Sequence, residues 1–101
     1  MNQHIGSDFD DFLREQGALE EATAIATKRV LSWQLAQAMK EGKISKTMMA
    51  RRMQTSRAVV DRLLDAEDTG VTLATMTRAS LAVGRPLRIE LYATTSAPNV
   101  V

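Results

Sequence analysis

Between Leu19 and Glu41 the chain contains no glycine and no proline, and Ala, Leu, Gln, Glu and Lys dominate. Such a run predicts one helix of roughly 35 Å at 1.5 Å per residue. In a chain of 101 residues a rod of that length sets the frame, and the rest must pack along it as a single small domain. The rod has two apolar faces at helical spacing. Leu31, Leu35, Ala38 and Met39 form one, and Leu19, Ala22, Ala26, Val30 and Trp33 form the other. Two faces require two things to pack against. The C-terminal half is expected to meet the domain core, and the N-terminal half to meet Phe9 and Phe12 or a second chain.

The flanking elements follow from caps and breakers. Ser7 or Asp8 is placed to cap a short helix through Phe9, Phe12 and Leu13 that stops at Gly17. Gly42 is expected to end the long helix as its left-handed residue. Ser45 caps the next, with Met48, Met49 and Met53 apolar. After a break at Gln54-Thr55-Ser56, Thr55 or Ser56 caps a third short helix with Val59, Val60, Leu63 and Leu64 inward. The acidic stretch from Asp65 to Val71 reads as a loop. Thr72 caps a further helix through Leu73, Met76, Ala79, Leu81 and Ala82, ended by Gly84 and Arg85-Pro86. From Leu87 the period changes to two: Leu87, Ile89 and Leu91 alternate with Arg88, Glu90 and Tyr92, the pattern of a strand. The expectation is a mainly all-α chain of five helices and one C-terminal β-strand. It is divided into an acidic segment with a short helix (1–18), a helical domain with the long helix and the strand (19–92), and a flexible tail (93–101).

Composition removes several classes of function. The chain has no cysteine and one histidine, His4, so disulfides, thiolate metal sites and a histidine-based triad within one chain are excluded. Aromatic residues are 4% of the chain, too few for a base-stacking platform on single-stranded nucleic acid. No apolar run approaches the ~18 residues of a membrane span. Residues 1–11 lack the apolar stretch of a signal peptide, and a cytoplasmic protein is expected. No nucleophile–base pair, phosphate loop or metal cluster can be assembled, so no enzyme, cofactor or metal is expected.

The net charge of +1 hides a segregation. Residues 1–27 sum to −5, residues 28–62 to +7 and residues 63–101 to −1. The basic segment coincides with the two short helices at about 45–53 and 57–65, whose close spacing makes a helix-turn-helix pattern. Ala50 is small enough to sit where the helices cross, and Val60 and Leu63 follow at the later packing positions. The second helix then presents its N-terminus outward, where hydroxyl and guanidinium groups suit phosphates and base edges.

The run IxxxxxARRMxTSRxxxxRLLD from Ile44 to Asp65, followed by VTLATMTRASLAVGRPLRIEL from Val71 to Leu91, resembles the lambda-repressor-like (XRE) helix-turn-helix family. More narrowly, it is similar to HigA-type antitoxins and regulators. The resemblance covers roughly residues 30–92. It implies a helical DNA-binding domain, a homodimer on a palindromic double-stranded operator, and repression of an operon shared with a cognate toxin. Carried over by position, Ser56, Arg57, Ala58, Asp61 and Arg62 match the groove-facing side of the recognition helix, and Lys46 and Thr47 its phosphate-contacting helix start. Arg57 is assigned to a guanine edge, and Lys43, Lys46, Arg51 and Arg52 to phosphates, with at most one of Arg51 and Arg52 facing the same strand as Lys46. Many members carry glycine in the turn, where Gln54 stands here. A left-handed Gln54 costs on the order of 1 kcal/mol, unless the turn is longer or differently shaped.

A lone strand leaves its backbone edge unpaired. Leu87, Arg88, Ile89, Glu90 and Leu91 are therefore expected to pair antiparallel with the same strand of a second chain across a two-fold axis. Met1–Ile5 and a strand offered by a toxin are the rivals. Two recognition helices held about 34 Å apart read two half-sites on one DNA face. The acidic stretch from Asp8 to Glu21 raises the alternative of a protein-interaction module that neutralises a basic toxin. A free-standing or phage-type regulator is the other alternative.

Overall fold

A computed structural model describes the backbone of residues 2–93 and the side chains of residues 8–93. The described residues form four helices: α1 (Asn2–Glu41), α2 (Lys46–Met53), α3 (Arg57–Leu64) and α4 (Leu73–Ala82). The chain is mainly helical, as its periodicity requires. Five helices were expected, and the difference lies at Gly17. The helix runs through it unbroken, so α1 spans 40 residues. One exposed glycine costs about 1 kcal/mol relative to alanine, which does not stop a run of good helix formers on both sides. The molecule measures 61 × 34 × 19 Å, and its long axis matches the ~60 Å length of a helix this long.

The core lies along the C-terminal part of α1. Leu35 and Met39 of α1 pack with Ile44, with Met49, Ala50 and Met53 of α2, with Val60 and Leu63 of α3, and with Met76 and Ala79 of α4, and Ala38 of α1 is also buried. Met49, Met53, Val60 and Leu63 have at most 1% of their surface exposed. Ala50 occupies the expected crossing of α2 and α3 and is buried. Several expected inward residues face solvent instead. Met48 is at the margin, and Leu73 and Leu81 of α4 are well exposed. With ten residues, α4 covers the core by the narrow stripe of Met76, Ala79 and Ser80, which leaves no room for both flanks.

Ser45, Ser56 and Thr72 cap α2, α3 and α4, their hydroxyls accepting from the N–H of Met48, Val59 and Thr75 at 3.1, 3.3 and 3.1 Å. Each satisfies a backbone donor that the helix start leaves open. At the other ends, α1, α2 and α4 close by the same pair of bonds. After α1, Lys43 N–H donates to Lys40 O and Ile44 N–H reaches back to Met39 O. After α2, Gln54 and Thr55 donate to Arg51 O and Ala50 O, and after α4, Gly84 and Arg85 donate to Leu81 O and Ser80 O. This is the Schellman arrangement, which requires a left-handed residue. Gly84 supplies it at φ 76°, but Lys43 and Gln54 supply it at φ 55° each. The left-handed position after α1 is thus Lys43 rather than the expected Gly42. Gly42 serves a close approach instead: Ile44 folds back over it, and a β-carbon there would meet Ile44 Cδ1 at 3.1 Å, so the isoleucine would have to shift slightly.

Beyond Gly84 the chain passes back across α1 and α4 without helix, and among the described residues there is no strand. Leu87 packs against the core, whereas Ile89 is 61% and Leu91 100% exposed. The expected apolar face of residues 87–91 therefore has its floor at Leu87 alone. Residues 2–5 belong to α1, which removes them as a strand partner for this segment. The expected tail, apart from Ala93, lies outside the described residues, as does Met1. No described helix is long and apolar enough to cross a membrane.

Candidate nucleic-acid interface

The expected contact residues sit on four pieces of chain: the turn after α1, the first turn of α2, its last turn, which carries Arg52, and the first two turns of α3. All nine residues (Lys43, Lys46, Thr47, Arg52, Ser56, Arg57, Ala58, Asp61 and Arg62) are exposed. α2 and α3 are held together by Met49, Ala50 and Met53 against Val60 and Leu63, and the left-handed Gln54 (φ 55°, ψ 49°) makes the turn between them short. The non-glycine residue is accommodated in the turn without lengthening it.

Lys46, Asp61 and Arg57 come together. Lys46 Nζ meets Asp61 Oδ1 at 2.8 Å across the α2–α3 crossing. The hydrogen bond from Lys46 holds the Asp61 carboxyl below the usual carboxylate range, and the charges of Lys46 and Arg57 act in the same direction. Arg57 stands one turn before Asp61 on α3, the spacing at which helical side chains are neighbours. Among the described residues no carboxylate lies within ion-pair distance of Arg57. It is a free guanidinium at the start of a helix, flanked by the small residues Ala58 and the cap Ser56.

The remaining basic residues divide. Arg52 donates through Nη1 to Ala82 O at 2.9 Å, tying α2 to the C-terminal end of α4. A guanidinium has five N–H donors, so this bond fixes Arg52 and leaves donors facing outward. Arg62 is drawn to the other side of α3, where Nε meets Asp68 Oδ2 at 3.1 Å. The Asp68 carboxyl is itself held low, first by the Gly70 N–H and then by Arg62. Arg62 thus joins the 65–72 loop rather than the Lys46–Asp61–Arg57 group. Lys43 stands exposed at the left-handed turn, and Arg51 is exposed on α2.

Two residues that matter here were not expected from the sequence. Lys28 is 5% exposed and Ser32 is 4% exposed. Lys28 Nζ donates to Arg62 O at 3.0 Å and to Asp65 O at 2.6 Å, and Ser32 Oγ donates to Leu63 O at 2.9 Å. These bonds satisfy the carbonyls at the open end of α3 and fasten it to α1. Burial lowers the Lys28 pKa below the ordinary lysine value, while Asp68 and Asp65 pull the other way. Lys28 belongs to the basic segment by sequence, yet its charge serves the scaffold. The signal was present: Lys28 and Ser32 fall on the helical stripe of Leu35 and Met39, where a polar residue must find a partner.

In the segment expected to join two chains, Arg88 pairs with Glu90 at 3.0 Å, and Ile89, Leu91 and Tyr92 face outward. Two shallow grooves of about 350 and 340 Å³ flank Leu87, between α1, α4 and this segment. Neither gathers paired acid–base groups. No protein-family model, no curated protein and no solved structure matches this chain.

Proposed function

We propose that this chain is a sequence-specific double-stranded DNA-binding regulator that acts as a homodimer on a palindromic operator. In keeping with its resemblance to HigA-type antitoxins, the reading extends to a repressor of its own operon that also neutralises the encoded toxin. The observation that carries the DNA reading is Arg57. It is exposed and, among the described residues, unpaired, on the first turn of α3 between two small residues, on a helix fixed to α2 and α1 by buried contacts.

A guanidinium in that position matches the paired acceptors of guanine in the major groove. The N-terminal turns of α2 and α3, with Thr47 and Ser56, bring backbone N–H groups and hydroxyls toward phosphates. Lys43, Lys46, Arg51 and the free donors of Arg52 supply the positive charge. Asp61 holds Lys46 in place before DNA arrives, and a phosphate then competes for the same ammonium. Arg62, paired with Asp68, contributes to the field rather than to base contact. In this reading residues 87–91 become a strand when a second strand is presented to them, antiparallel, by another copy.

The test is binding of the protein to its own upstream DNA at two salt concentrations. Affinity is expected to fall steeply with salt, because cations on the duplex are released by the basic side chains. Arg57→Ala is expected to lose about 1–3 kcal/mol of discrimination between operator and scrambled duplex, and Lys46→Ala to weaken both alike. Equal affinity of the unaltered protein for operator and scrambled DNA would overturn the reading.

A further inference from the structure

Phe9, Phe12, Gln16, Leu19, Thr23, Ala26, Val30 and Trp33 recur along α1 at alternating spacings of three and four. That is the seam of a coiled coil. All eight are exposed, the large apolar ones heavily: Phe9 60%, Phe12 52%, Leu19 63%, Val30 55% and Trp33 63%. The core residues of α1, Lys28, Ser32, Leu35 and Met39, lie on the opposite side of the helix. Among the described residues nothing covers the seam, although half of it runs along the folded domain.

We propose that a second copy of this chain covers it, with the two α1 helices antiparallel and the two-fold axis passing near residue 21. In that register Phe9 faces the partner's Trp33, Phe12 the partner's Val30, Gln16 the partner's Ala26 and Leu19 the partner's Thr23. Three of the pairings join a larger side chain to a smaller one, Phe9 and Trp33 set ring against ring, and every seam position from Phe9 to Trp33 is used once. The overlap is about 36 Å long.

Charge selects the antiparallel arrangement. The half of α1 that stands clear of the domain carries Asp8, Asp10, Asp11, Glu15, Glu20 and Glu21 against Arg14, while the other half carries the exposed Arg29 within the overlap and Lys40 and Glu41 beyond it, Lys28 being turned to α3. Parallel helices would set acid beside acid along the whole arm. Antiparallel helices set each acidic arm along the partner's basic half, with Glu15 flanking the seam opposite the partner's Arg29, and they oppose the two helix dipoles. Glu20 alone meets its own copy, beside the axis. The contact is separate from residues 87–91 and does not depend on the DNA reading.

Trp33 is the only tryptophan and there are no cysteines, which makes the contact directly readable in the full-length protein. On raising the concentration from nanomolar to hundreds of micromolar, Trp33 emission is expected to shift to the blue as the partner's Phe9 covers it, together with a doubling of mass by light scattering. Leu19→Glu puts a charge into the seam away from the domain. It is expected to raise the dissociation constant by at least roughly 100-fold and to leave the circular dichroism of the domain intact.

Orientation is read by oxidising the double variant Gln16→Cys/Ala26→Cys and mapping the disulfide. A bond from position 16 to position 26 between two chains is expected, since within one helix the two positions lie about 15 Å apart. Trp33 emission that is independent of concentration, as for a monomer whose arm serves a different, basic protein, would overturn the proposal. So would a concentration-dependent Trp33 shift that survives Leu19→Glu unchanged, or bonds joining position 16 to position 16.

Discussion

The two halves of α1 have one backbone conformation and different reasons for it. From Lys28 to Met39, five side chains are buried and two of them hold the end of α3. From Asp8 to Ala24 no side chain is buried at all. The first half is helical because tertiary packing selects one amphipathic face. The second is helical by propensity and by continuity with the first, and isolated helices of that length are marginal in water. The lesson is that a helix drawn as one rod has a structural half and a half that awaits a partner.

The largest expected effect is in the structural half's core. Leu63 is fully buried where α1, α2 and α3 meet. Leu63→Ala is expected to cost about 2–5 kcal/mol, the transfer loss plus the cavity, and to lower the urea midpoint with little change in the slope. A loss under about 0.5 kcal/mol would mean that the α1–α3 contact is not the core of the domain.

Next in size is Lys28, the charge that the packed half buries. Lys28→Met keeps most of the volume but removes the donors to Arg62 O and Asp65 O. Each carbonyl keeps one backbone donor, the N–H of Asp65 or of Asp68, so the loss is that of hydrogen bonds from a charged donor, about 1.5–3 kcal/mol. A surface lysine would show less than about 0.5 kcal/mol, so equilibrium unfolding of this one variant separates a scaffold role from a phosphate-binding one. DNA affinity, corrected for the fraction folded, is expected to stay within about two-fold of the unaltered protein.

The sequence shows local causes and hides distant ones. Ser45, Ser56 and Thr72 are legible as caps because a cap needs only its own next turn. Ala50, Val60 and Leu63 are legible because two short helices in contact leave few packing positions. Gly42 was misread because glycine can serve a left-handed turn or a close approach. Which of the two applies is decided by where Ile44 packs. At the candidate site, the exposure of Arg57 follows from its place after a cap. The partners of Arg62 and Arg52 do not: Asp68 lies across a loop and Ala82 sits 30 residues away. The alternation of Leu87, Ile89 and Leu91 is a true feature of the sequence, but a strand is a relation between two segments. Within the described part of this chain the second segment does not exist.

The smallest effect tests the other half of α1. Gly17 lies inside the helix, off the proposed seam, and nothing stands within 4 Å of where its β-carbon would be. Gly17→Ala is therefore free of clashes, and in an exposed helix interior it is worth about 0.5–1 kcal/mol. If the arm is helical mainly by propensity, the gain appears as stronger helical circular dichroism at 222 nm at concentrations where the chain is a single copy. The urea midpoint of the domain is expected to stay where it was, because no buried contact links residue 17 to the core. A midpoint that rose by the full amount would mean that arm and domain unfold as one unit. Unchanged ellipticity would mean that the arm is already fully formed, and in either case the contrast between the two halves would be smaller than their burial suggests.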